Sequence, residues 1–458
     1  MLKTDGTKIL ENGKELKLRG YCLGNWMMME NFMMGFPGTE QQFRKHLKEY
    51  AGEEKGSFFI DRLMEYYFEE EDIKYLKSLG VNVIRLPFNY RHFEEDEQPF
   101  VYKKEGFHYI DKAVRLCKKY GIYLILDLHG AQGYQGPDWH CDNYEREVHL
   151  YEDEVCQKRV VQLWRYIAEY YKDEETIAAY DLLNEPVARG EKSTAVLDRL
   201  YYDIVQSIRE VDPLHMVVIR GNYWGQEFEG FRKPFDDNMM YACHYYTEAG
   251  LQQTFYPKKE GGTPANRETV KAGLQVRDHF IRENNVPCWV SEFGLLEDNP
   301  VYHESKLETL KDQLSLFNEA GHNWTMWSYK DVGNMGLVRP RKDTPWAMLT
   351  KEIIRLKKKY YCDYNTIISE RWMLSSLIKQ YVGDDLGEYY EEARDQWENE
   401  LAKIFNNVLA KIFAQKLASF SEQELDELAA SYKFENCDIM KEWAELIRSA
   451  LQTEETGL

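Results

Sequence analysis

Short strands rich in branched residues alternate with amphipathic helices from the amino end of the chain to about residue 350. This alternation is typical of parallel β/α units, in which each helix returns the chain to the start of the next strand. Eight repeats close into a (β/α)₈ (TIM) barrel more readily than into an open sheet. The eight predicted strands cover residues 17–23, 81–87, 122–129, 177–184, 215–221, 239–245, 287–292 and 323–328.

Glycine and Asn-Gly positions mark the ends of predicted helices and the turn of a predicted hairpin. Gly80 follows a predicted helix over residues 70–79, and Gly121 follows another over 110–120, as expected for glycine at a helix carboxyl end. Ahead of the first barrel strand, residues 9–16 have the pattern of a small hairpin that turns at Asn-Gly. We expect this hairpin to cover the bottom of the barrel.

The chain has 458 residues, which is enough for one barrel of about 250 residues or more and an additional unit. From residue 351 the pattern is helical only, with Ser421 and Glu424 as a capping box. We therefore predict a barrel over residues 1–350 with an amino-terminal hairpin, and a helical appendage over 351–458 packed on it. A dimerisation or partner surface is the alternative for the appendage. One apolar helical face is predicted from Leu401, Ile404, Phe405, Val408, Leu409, Ile412 and Phe413.

The composition disfavours two classes of partner. The formal charge of -20 and the pI of about 5.2 oppose nucleic acid and anionic membranes, since like charges repel. No signal peptide pattern and no apolar run of membrane-spanning length is present, so a cytoplasmic location is expected. The cysteines are not spaced as in metal or redox motifs, so we expect them to be free thiols. Free thiols agree with a cytoplasmic location. They are Cys22, Cys117, Cys141, Cys156, Cys243, Cys288, Cys362 and Cys437.

Two glutamates follow apolar strand-like runs, Glu185 in residues 180–186 and Glu292 in residues 289–294. A carboxyl group at the end of a buried strand costs desolvation free energy unless a neighbour compensates for it. Two carboxylates at strand ends can supply a proton donor and a nucleophile for cleaving a glycosidic bond. Because the carboxyl ends of barrel strands face one side, polar residues there converge. Besides the glutamates they are Arg85, His129, Asn184, His244, Tyr246 and Trp327.

In this order and on these strands, the residues resemble glycoside hydrolase family 5, a (β/α)₈ family of retaining β-glycosidases often described as cellulases. The resemblance covers roughly residues 5–345, and its most specific parts are Asn184-Glu185-Pro186 and Ser291-Glu292-Phe293-Gly294. It implies that Glu185 is the acid/base and Glu292 the nucleophile. The helices after residue 351 lie outside the family pattern.

The chemistry of retention assigns supporting roles. A retaining enzyme needs one protonated and one ionised carboxyl group about 5 to 5.5 Å apart. Arg85 and Tyr246 are candidates to keep Glu292 anionic, and Asn184 could donate to the sugar 2-hydroxyl. Further contacts to hydroxyls, to the glutamates or to the sugar face are expected from His129, His244 and Trp327.

Two loops are predicted to form the mouth of the site. Residues 24–37 are rich in methionine, which can line an irregular pocket wall or simply pack against other loops. Residues 133–143 offer Trp139, His140 and Asp142 as sugar contacts. A metal site at His129, His140 and Asp142 is disfavoured by their spacing, and no cofactor is expected.

Long loops after the first and third strands would close a groove into a pocket. The expected substrate is therefore a small β-linked glucoside or oligosaccharide, cleaved from the chain end. An endo-acting glucanase or mannanase, or an exo-acting mannosidase, would use the same catalytic residues, and glucose and mannose remain undistinguished. A non-catalytic carbohydrate-binding barrel is the alternative from another class. Homo-oligomers through the carboxy-terminal helices are the possible protein partner.

Overall fold

The computed structural model describes residues 1–258, 264–297, 299–360, 379–381 and 386–452. The strands are β1 (Lys3–Asp5), β2 (Lys8–Glu11), β3 (Lys14–Leu16), β4 (Arg19–Cys22), β5 (Val83–Asn89), β6 (Tyr123–Gly130), β7 (Ile177–Asp181), β8 (Met216–Arg220), β9 (Met239–His244), β10 (Cys288–Glu292), β11 (Asn323–Met326), β12 (Val338–Pro340) and β13 (Cys437–Ile439). The described α-helices are α1 (Asn31–Met34), α2 (Glu40–Ala51), α3 (Glu53–Tyr67), α4 (Glu70–Leu79), α5 (Phe107–Tyr120), α6 (Glu154–Tyr171), α7 (Gly190–Arg209), α8 (Asn222–Gly225), α9 (Glu248–Leu251), α10 (Arg267–Glu283), α11 (His303–Glu319), α12 (Pro345–Lys359), α13 (Tyr390–Ala418), α14 (Glu422–Ala430) and α15 (Lys441–Gln452).

Strands β4 to β11 form a closed, all-parallel barrel in chain order, and the pairing of Trp324 on β11 with Arg19 on β4 closes it. All eight predicted barrel strands are confirmed, with ends that differ by a few residues. Gly80 and Gly121 end α4 and α5 in the left-handed backbone conformation, as predicted. The fold class is therefore a (β/α)₈ barrel.

The predicted hairpin is confirmed as β2 and β3, with β1 added as a third antiparallel strand. Leu2 and Ile9 join the apolar cluster inside the amino end of the barrel and cover that end. Full burial of a side chain of this size stabilises the folded state by about 1.5–3 kcal/mol. The sheet therefore seals the face opposite to the carboxyl ends of the strands.

The barrel interior changes from apolar to charged along each strand. Because alternate residues of a strand point to the same side, Val83 and Arg85 both face inward, as do Ala179 and Asp181. Val83 and Ala179 belong to the apolar cluster, whereas Arg85 and Asp181 form an ion pair two residues further on. The apolar layer supports a charged layer beneath the carboxyl ends.

The carboxy-terminal helices pack against one flank of the barrel, with α13 on α2, α14 on α3 and α15 on α11. Buried Lys330 connects the two parts: its Nζ lies 2.6 Å from Asp72 Oδ1 and donates to the carbonyl of Tyr432. The predicted capping box at Ser421 and Glu424 is confirmed. The division at residue 350 falls within α12 and stays a prediction.

Two expectations for the carboxy-terminal part are wrong. It is not purely helical, because β13 pairs with β12 in an antiparallel ribbon. The predicted apolar face of α13 is also divided, since Leu409 and Phe413 are buried while three others are about half exposed. The helix buries a narrower stripe than its composition predicts. The exposed three are Ile404, Val408 and Ile412.

In the described part of the chain, the helices are all too short or too polar to cross a membrane. The described cysteines are free thiols and all but Cys437 are buried. Cys362 lies outside the described residues.

Candidate active site

A cavity of about 350 Å³ opens at the carboxyl ends of the barrel strands. Eight of the eleven residues predicted for the site line it: His129, Trp139, His140, Glu185, His244, Tyr246, Glu292 and Trp327. The structure thus brings together residues that lie up to about 200 positions apart in the chain. Arg85 and Asn184 lie directly behind Glu292, whereas Asp142 lies elsewhere.

The two glutamates face each other across this cavity. Glu292 ends β10, and Glu185 follows β7 in a left-handed backbone conformation with φ of 39°. One carboxylate oxygen of Glu185 and one of Glu292 lie within 4.8 Å of each other and of a ring nitrogen of His244. Carboxyl groups this close fit the spacing of a nucleophile and an acid/base better than the wider spacing of inverting enzymes.

Glu292 is held at both oxygens. Arg85 Nη1 donates to Oε1 at 2.5 Å and the Tyr246 hydroxyl donates to Oε2 at 2.8 Å. Arg85 is fully buried, so its positive charge is little screened by solvent. These two donors fix the orientation of the carboxylate and stabilise its negative charge, as the sequence predicts.

Glu185 lies in an opposite electrostatic environment. Burial, the negative charge of Glu292 and then that of Asp138 raise the pKa of Glu185 well above its usual range. A raised pKa favours the protonated form that a proton donor needs. His140 Nε2 lies 3.1 Å from Glu185 Oε2, although not aligned for a hydrogen bond. The two carboxyl groups therefore lie in different environments: hydrogen-bond donors contact Glu292, whereas burial and negative charge act on Glu185.

His244 orients Glu185. Arg220 donates to His244 Nε2, so the ring hydrogen lies on Nδ1, which donates to Glu185 Oε1 at 2.6 Å. Burial and the charges of Arg220 and Arg85 lower the pKa of His244 well below its usual range. The imidazole is therefore neutral and acts as a donor of fixed direction.

Beneath the glutamates lies a buried layer of two arginines and two aspartates that the sequence analysis missed in part. Arg85 pairs with Asp127 and Asp181 at 3.0 Å each, and Arg220 pairs with Asp181. All four side chains are fully buried. A signal was present, because Arg220 ends β8 in the same way that Glu292 ends β10.

His129, Asn184 and Trp327 form a packed unit beside the nucleophile. His129 Nδ1 lies 2.7 Å from Asp127 and its Nε2 lies 3.2 Å from Asn184 Nδ2, which fixes the ring tautomer. Trp327 stacks on His129 with ring centroids 5.3 Å apart and planes 5° apart. One indole face is thus used for packing, and the side chain still borders the cavity.

The indole ring of Trp327 packs so closely against Gly24 that no side chain fits at position 24. A Cβ added to Gly24 would lie 2.7 Å from Trp327 Cη2, too close for the rigid ring to stay in place. We predict that Gly24→Ala displaces the indole and lowers kcat/KM on the order of 10²-fold, the scale expected from misplacing a binding group by about 1 Å. Gly56→Ala, whose Cβ would meet its neighbours at an ordinary 3.4 Å, serves as control. Equal kcat/KM values for the two variants would contradict this role of Gly24.

The expectation that Asp142 contacts sugar is wrong. Its side chain is 1% exposed, accepts from the Gln41 amide at 2.8 Å and from Asn89 Nδ2 at 3.0 Å, and lies 3.8 Å from Arg91. Asp142 therefore ties its loop to the start of α2 behind the cavity wall. The residue type suggested a polar contact, but the backbone direction of the loop turns the carboxylate inward.

The methionines of residues 24–37 pack against neighbouring elements, which is the second of the two roles that the sequence left open. Met27, Met29 and Met34 are buried in the main core between the barrel and the carboxy-terminal helices. Met33 Sδ accepts from Trp327 Nε1 at 3.2 Å, which places this residue directly behind the cavity. Glu30 and Phe32 of the same loop line the cavity.

Loop residues that the sequence analysis did not select complete the cavity. Trp224 is 37% exposed at the mouth, and its Nε1 donates to Asp138 Oδ2 at 2.8 Å. Gln226 also lines the cavity, and so does Glu30 from the loop after β4. No spacing rule identifies such residues, because loop conformation and not strand periodicity brings them to the cavity.

The charge of Asp138 gives a pH prediction. Since this charge raises the pKa of Glu185, Asp138→Asn lowers that pKa and moves the alkaline limb of the pH–kcat/KM profile to lower pH. Asparagine retains an oxygen acceptor for Trp224. Exposed Glu147, on the same loop, supplies the matched control Glu147→Gln, for which the limb stays in place. A limb that is unchanged or moves upward in the Asp138 variant would contradict this electrostatic role.

Within the described residues, Glu185, His244 and Glu292 are the cluster whose atoms are spaced for a metal ion. Each of these side chains is already engaged by a neighbour, since His244 donates to Glu185 and Arg85 and Tyr246 donate to Glu292. These hydrogen bonds account for the close spacing of the three side chains.

Comparison with known proteins agrees with this geometry. The family model described as cellulase (glycosyl hydrolase family 5) matches residues 49–333. A β-xylosidase of Phanerodontia chrysosporium is 35% identical over 458 residues and covers 95% of each chain. Endoglucanase C of Acetivibrio thermocellus is 28% identical over 302 residues, which cover 58% of this chain and 85% of the relative.

Solved structures support the fold. The Thermotoga maritima Cel5A structure in complex with cellobiose has 20% sequence identity and a TM-score of 0.51, and the match covers 70% of this chain and 91% of that one. With the family established by sequence, the alternative of a non-catalytic barrel is set aside. The chain belongs to glycosyl hydrolase family 5 and is a glycosidase that hydrolyses the O-glycosyl bonds of β-glycosides.

Proposed function

We propose that the protein is a retaining, exo-acting β-glycosidase with Glu292 as nucleophile and Glu185 as acid/base. The observation that carries this proposal is the close approach of the two carboxyl groups, within 4.8 Å, in opposite electrostatic environments. Arg85 and Tyr246 stabilise the charged form of Glu292, while burial and nearby charge raise the pKa of Glu185. Retention requires this combination of one nucleophile and one proton donor.

The reaction proceeds in two displacements. A Glu292 oxygen attacks the anomeric carbon while Glu185 gives its proton to the departing glycosidic oxygen, so that the old C–O bond breaks as the new one forms. The pKa of Glu185 falls once Glu292 is esterified, because the neighbouring charge is gone. Glu185 then takes a proton from water, which attacks the anomeric carbon and releases Glu292.

Three further side chains have proposed roles toward the sugar. Asn184 Oδ1 accepts from Arg85, which leaves one hydrogen of its Nδ2 beyond the His129 contact to donate to the sugar 2-hydroxyl. Trp327 borders the glycone, and His129 fixes its plane. His140 lies 3.1 Å from Glu185, on the side where the leaving group departs, and Trp139 borders the same cavity.

The proposed substrate is a β-xyloside, a β-glucoside or a short β-linked oligosaccharide that loses one sugar at a time. A cavity of about 350 Å³ is at the small end of ligand pockets and suits a chain end. The xylosidase match extends over the carboxy-terminal helices, whereas the endoglucanase match leaves 42% of this chain uncovered (100% − 58%). The full-length relative therefore favours exo action.

A panel of 4-nitrophenyl β-xyloside, β-glucoside and β-mannoside, with xylo- and cello-oligosaccharides, tests the proposal. We expect monosaccharide as the first product and faster turnover of the aryl glycosides than of carboxymethyl cellulose. Internal cleavage products, or the reverse substrate ranking, would contradict exo action.

An endo-acting glucanase is the second candidate, favoured by the endoglucanase match over the barrel. The same product analysis separates the two candidates. The cytoplasmic location and a homo-oligomer formed through the carboxy-terminal helices stay predictions.

A further inference from the structure

Glu30 is a buried carboxyl group in the cavity that the proposed reaction does not use. It is 6% exposed and precedes α1, but its side chain does not cap that helix. Its amide donates to Asn25 Oδ1 at 3.2 Å, and this contact fixes the backbone. Within the described part of the chain, no donor hydrogen-bonds to the Glu30 carboxyl oxygens, although the residue lines the cavity.

A buried carboxyl group without a partner costs free energy unless a ligand supplies one. The other buried acids near the site have partners: Asp127 and Asp181 pair with Arg85, and Glu292 binds Arg85 and Tyr246. Glu30 differs from them because it has space in front of it. Burial and the charge of Glu292 raise the pKa of Glu30, so the group can both accept and donate hydrogen bonds.

The position of Glu30 assigns it to one side of the substrate. Its loop follows β4, which pairs with β11, the strand that leads to Trp327. Glu185 and Trp224 come from the loops after β7 and β8, which lie three and four strands away from β4 around the barrel, whereas Trp139 lies beside Asn31, next to Glu30. Because Glu185 protonates the leaving oxygen, the leaving group lies on its side and the glycone lies on the side of Glu30.

The lining also fits a neutral sugar. In the described part of the chain it contains the carboxyl groups of Glu30, Asp138, Glu185 and Glu292, and neither lysine nor arginine. Such a wall offers acceptors for hydroxyl donors and no cation for an anionic substituent. Phe32, next to Glu30, and Trp327 supply apolar surface for the sugar ring.

We propose that Glu30 is a specificity-determining residue that hydrogen-bonds an unsubstituted hydroxyl of a neutral glycone in the catalytic cavity. This inference rests on the proposed function and adds the group that recognises the glycone. When Glu30 is ionised, its carboxylate accepts a charge-assisted hydrogen bond from the sugar hydroxyl. When Glu30 is protonated, its carboxyl group can also donate a hydrogen bond to that hydroxyl. A glycone loses the contact if it lacks this hydroxyl or if the hydroxyl carries a substituent.

The test compares Glu30→Ala and Glu30→Gln with wild type on 4-nitrophenyl β-xyloside and on its 2-, 3- and 4-deoxy analogues. We expect Glu30→Ala to lower kcat/KM for the parent glycoside by about 10- to 100-fold, the range of a hydrogen bond to a charged group. For one deoxy analogue the same substitution should change kcat/KM by less than about 3-fold, because the missing hydroxyl already removed the contact. The loss should be the same for 4-nitrophenyl and methyl leaving groups, since the contact is on the glycone.

Phe32→Leu is the matched control, because it alters the same wall without removing a hydrogen-bonding group. It should affect the parent and all deoxy analogues by one common factor. Glu30→Gln, which keeps the shape of the side chain, carries the test if thermal melting shows that Glu30→Ala fails to fold. A uniform loss across the deoxy series, or no loss on the parent, would overturn the role of Glu30 alone. Wild-type protein that hydrolyses none of the aryl β-glycosides would instead overturn the proposed function together with this inference.

Discussion

Glu292→Ala is expected to lower kcat for an aryl β-glycoside by about 10⁴-fold or more, because no other group can form the glycosyl ester in the first displacement. Glu292 is the carboxylate held by Arg85 and Tyr246, and its removal leaves a gap beside the anomeric carbon. Azide is small enough to enter that gap. Addition of azide should therefore restore turnover and give the α-glycosyl azide, which is measured by nuclear magnetic resonance.

Glu185→Ala supplies the matched control for the partner role. Its loss should reach about 10²- to 10⁴-fold for a poor leaving group and be much smaller for dinitrophenyl glycosides, which depart without protonation. Azide should then give the β-glycosyl azide, since it attacks the glycosyl ester on Glu292. If Glu292→Ala gave the β-azide and Glu185→Ala the α-azide, the two roles would be reversed.

Arg85→Met is expected to destabilise the protein by about 3–5 kcal/mol, the range for a broken buried ion pair. The substitution leaves the buried charges of Asp127, Asp181 and Glu292 with less compensation, since Arg220 contacts only Asp181 among them. Urea-induced unfolding measures the loss. Activity should fall as well, because Glu292 loses the donor to its Oε1.

A surface arginine provides the comparison for this prediction. Arg199 pairs with Asp203 at 3.3 Å on the outside of α7 and is 77% exposed, so Arg199→Met should leave the unfolding transition nearly in place. If Arg85→Met unfolded at the same urea concentration as Arg199→Met, the charged layer would not be a structural requirement of the site.

The barrel was predictable because its signals are periodic and local. Each strand is a short apolar run, each helix is amphipathic, and Gly80 and Gly121 mark helix ends. The proposed catalytic pair was located by the same reasoning, since parallel strands place Glu185 and Glu292 at one rim of the barrel. Local sequence pattern and global fold agree here, and the fold can therefore be predicted from the sequence.

Tertiary packing decided the parts that were not predicted. Ile404 and Phe413 share a helix, yet only Phe413 is buried, because α13 meets its neighbours along a narrow stripe. Asp142 and Glu30 are both loop acids, and nothing in their sequence context reveals that Asp142 turns behind the cavity wall and Glu30 into the cavity. Loop direction depends on long-range contacts that have no sequence period.

The assignment of Glu292 as nucleophile and Glu185 as acid/base is tested most directly by trapping the glycosyl ester. The protein is incubated with a 2,4-dinitrophenyl 2-deoxy-2-fluoro-β-glycoside, digested, and mapped by mass spectrometry, because the fluorine slows both displacements and the good leaving group restores only the first. We predict one sugar per chain, attached to Glu292. A sugar attached to Glu185, or turnover that releases the α-anomer without any labelled peptide, would contradict the assignment.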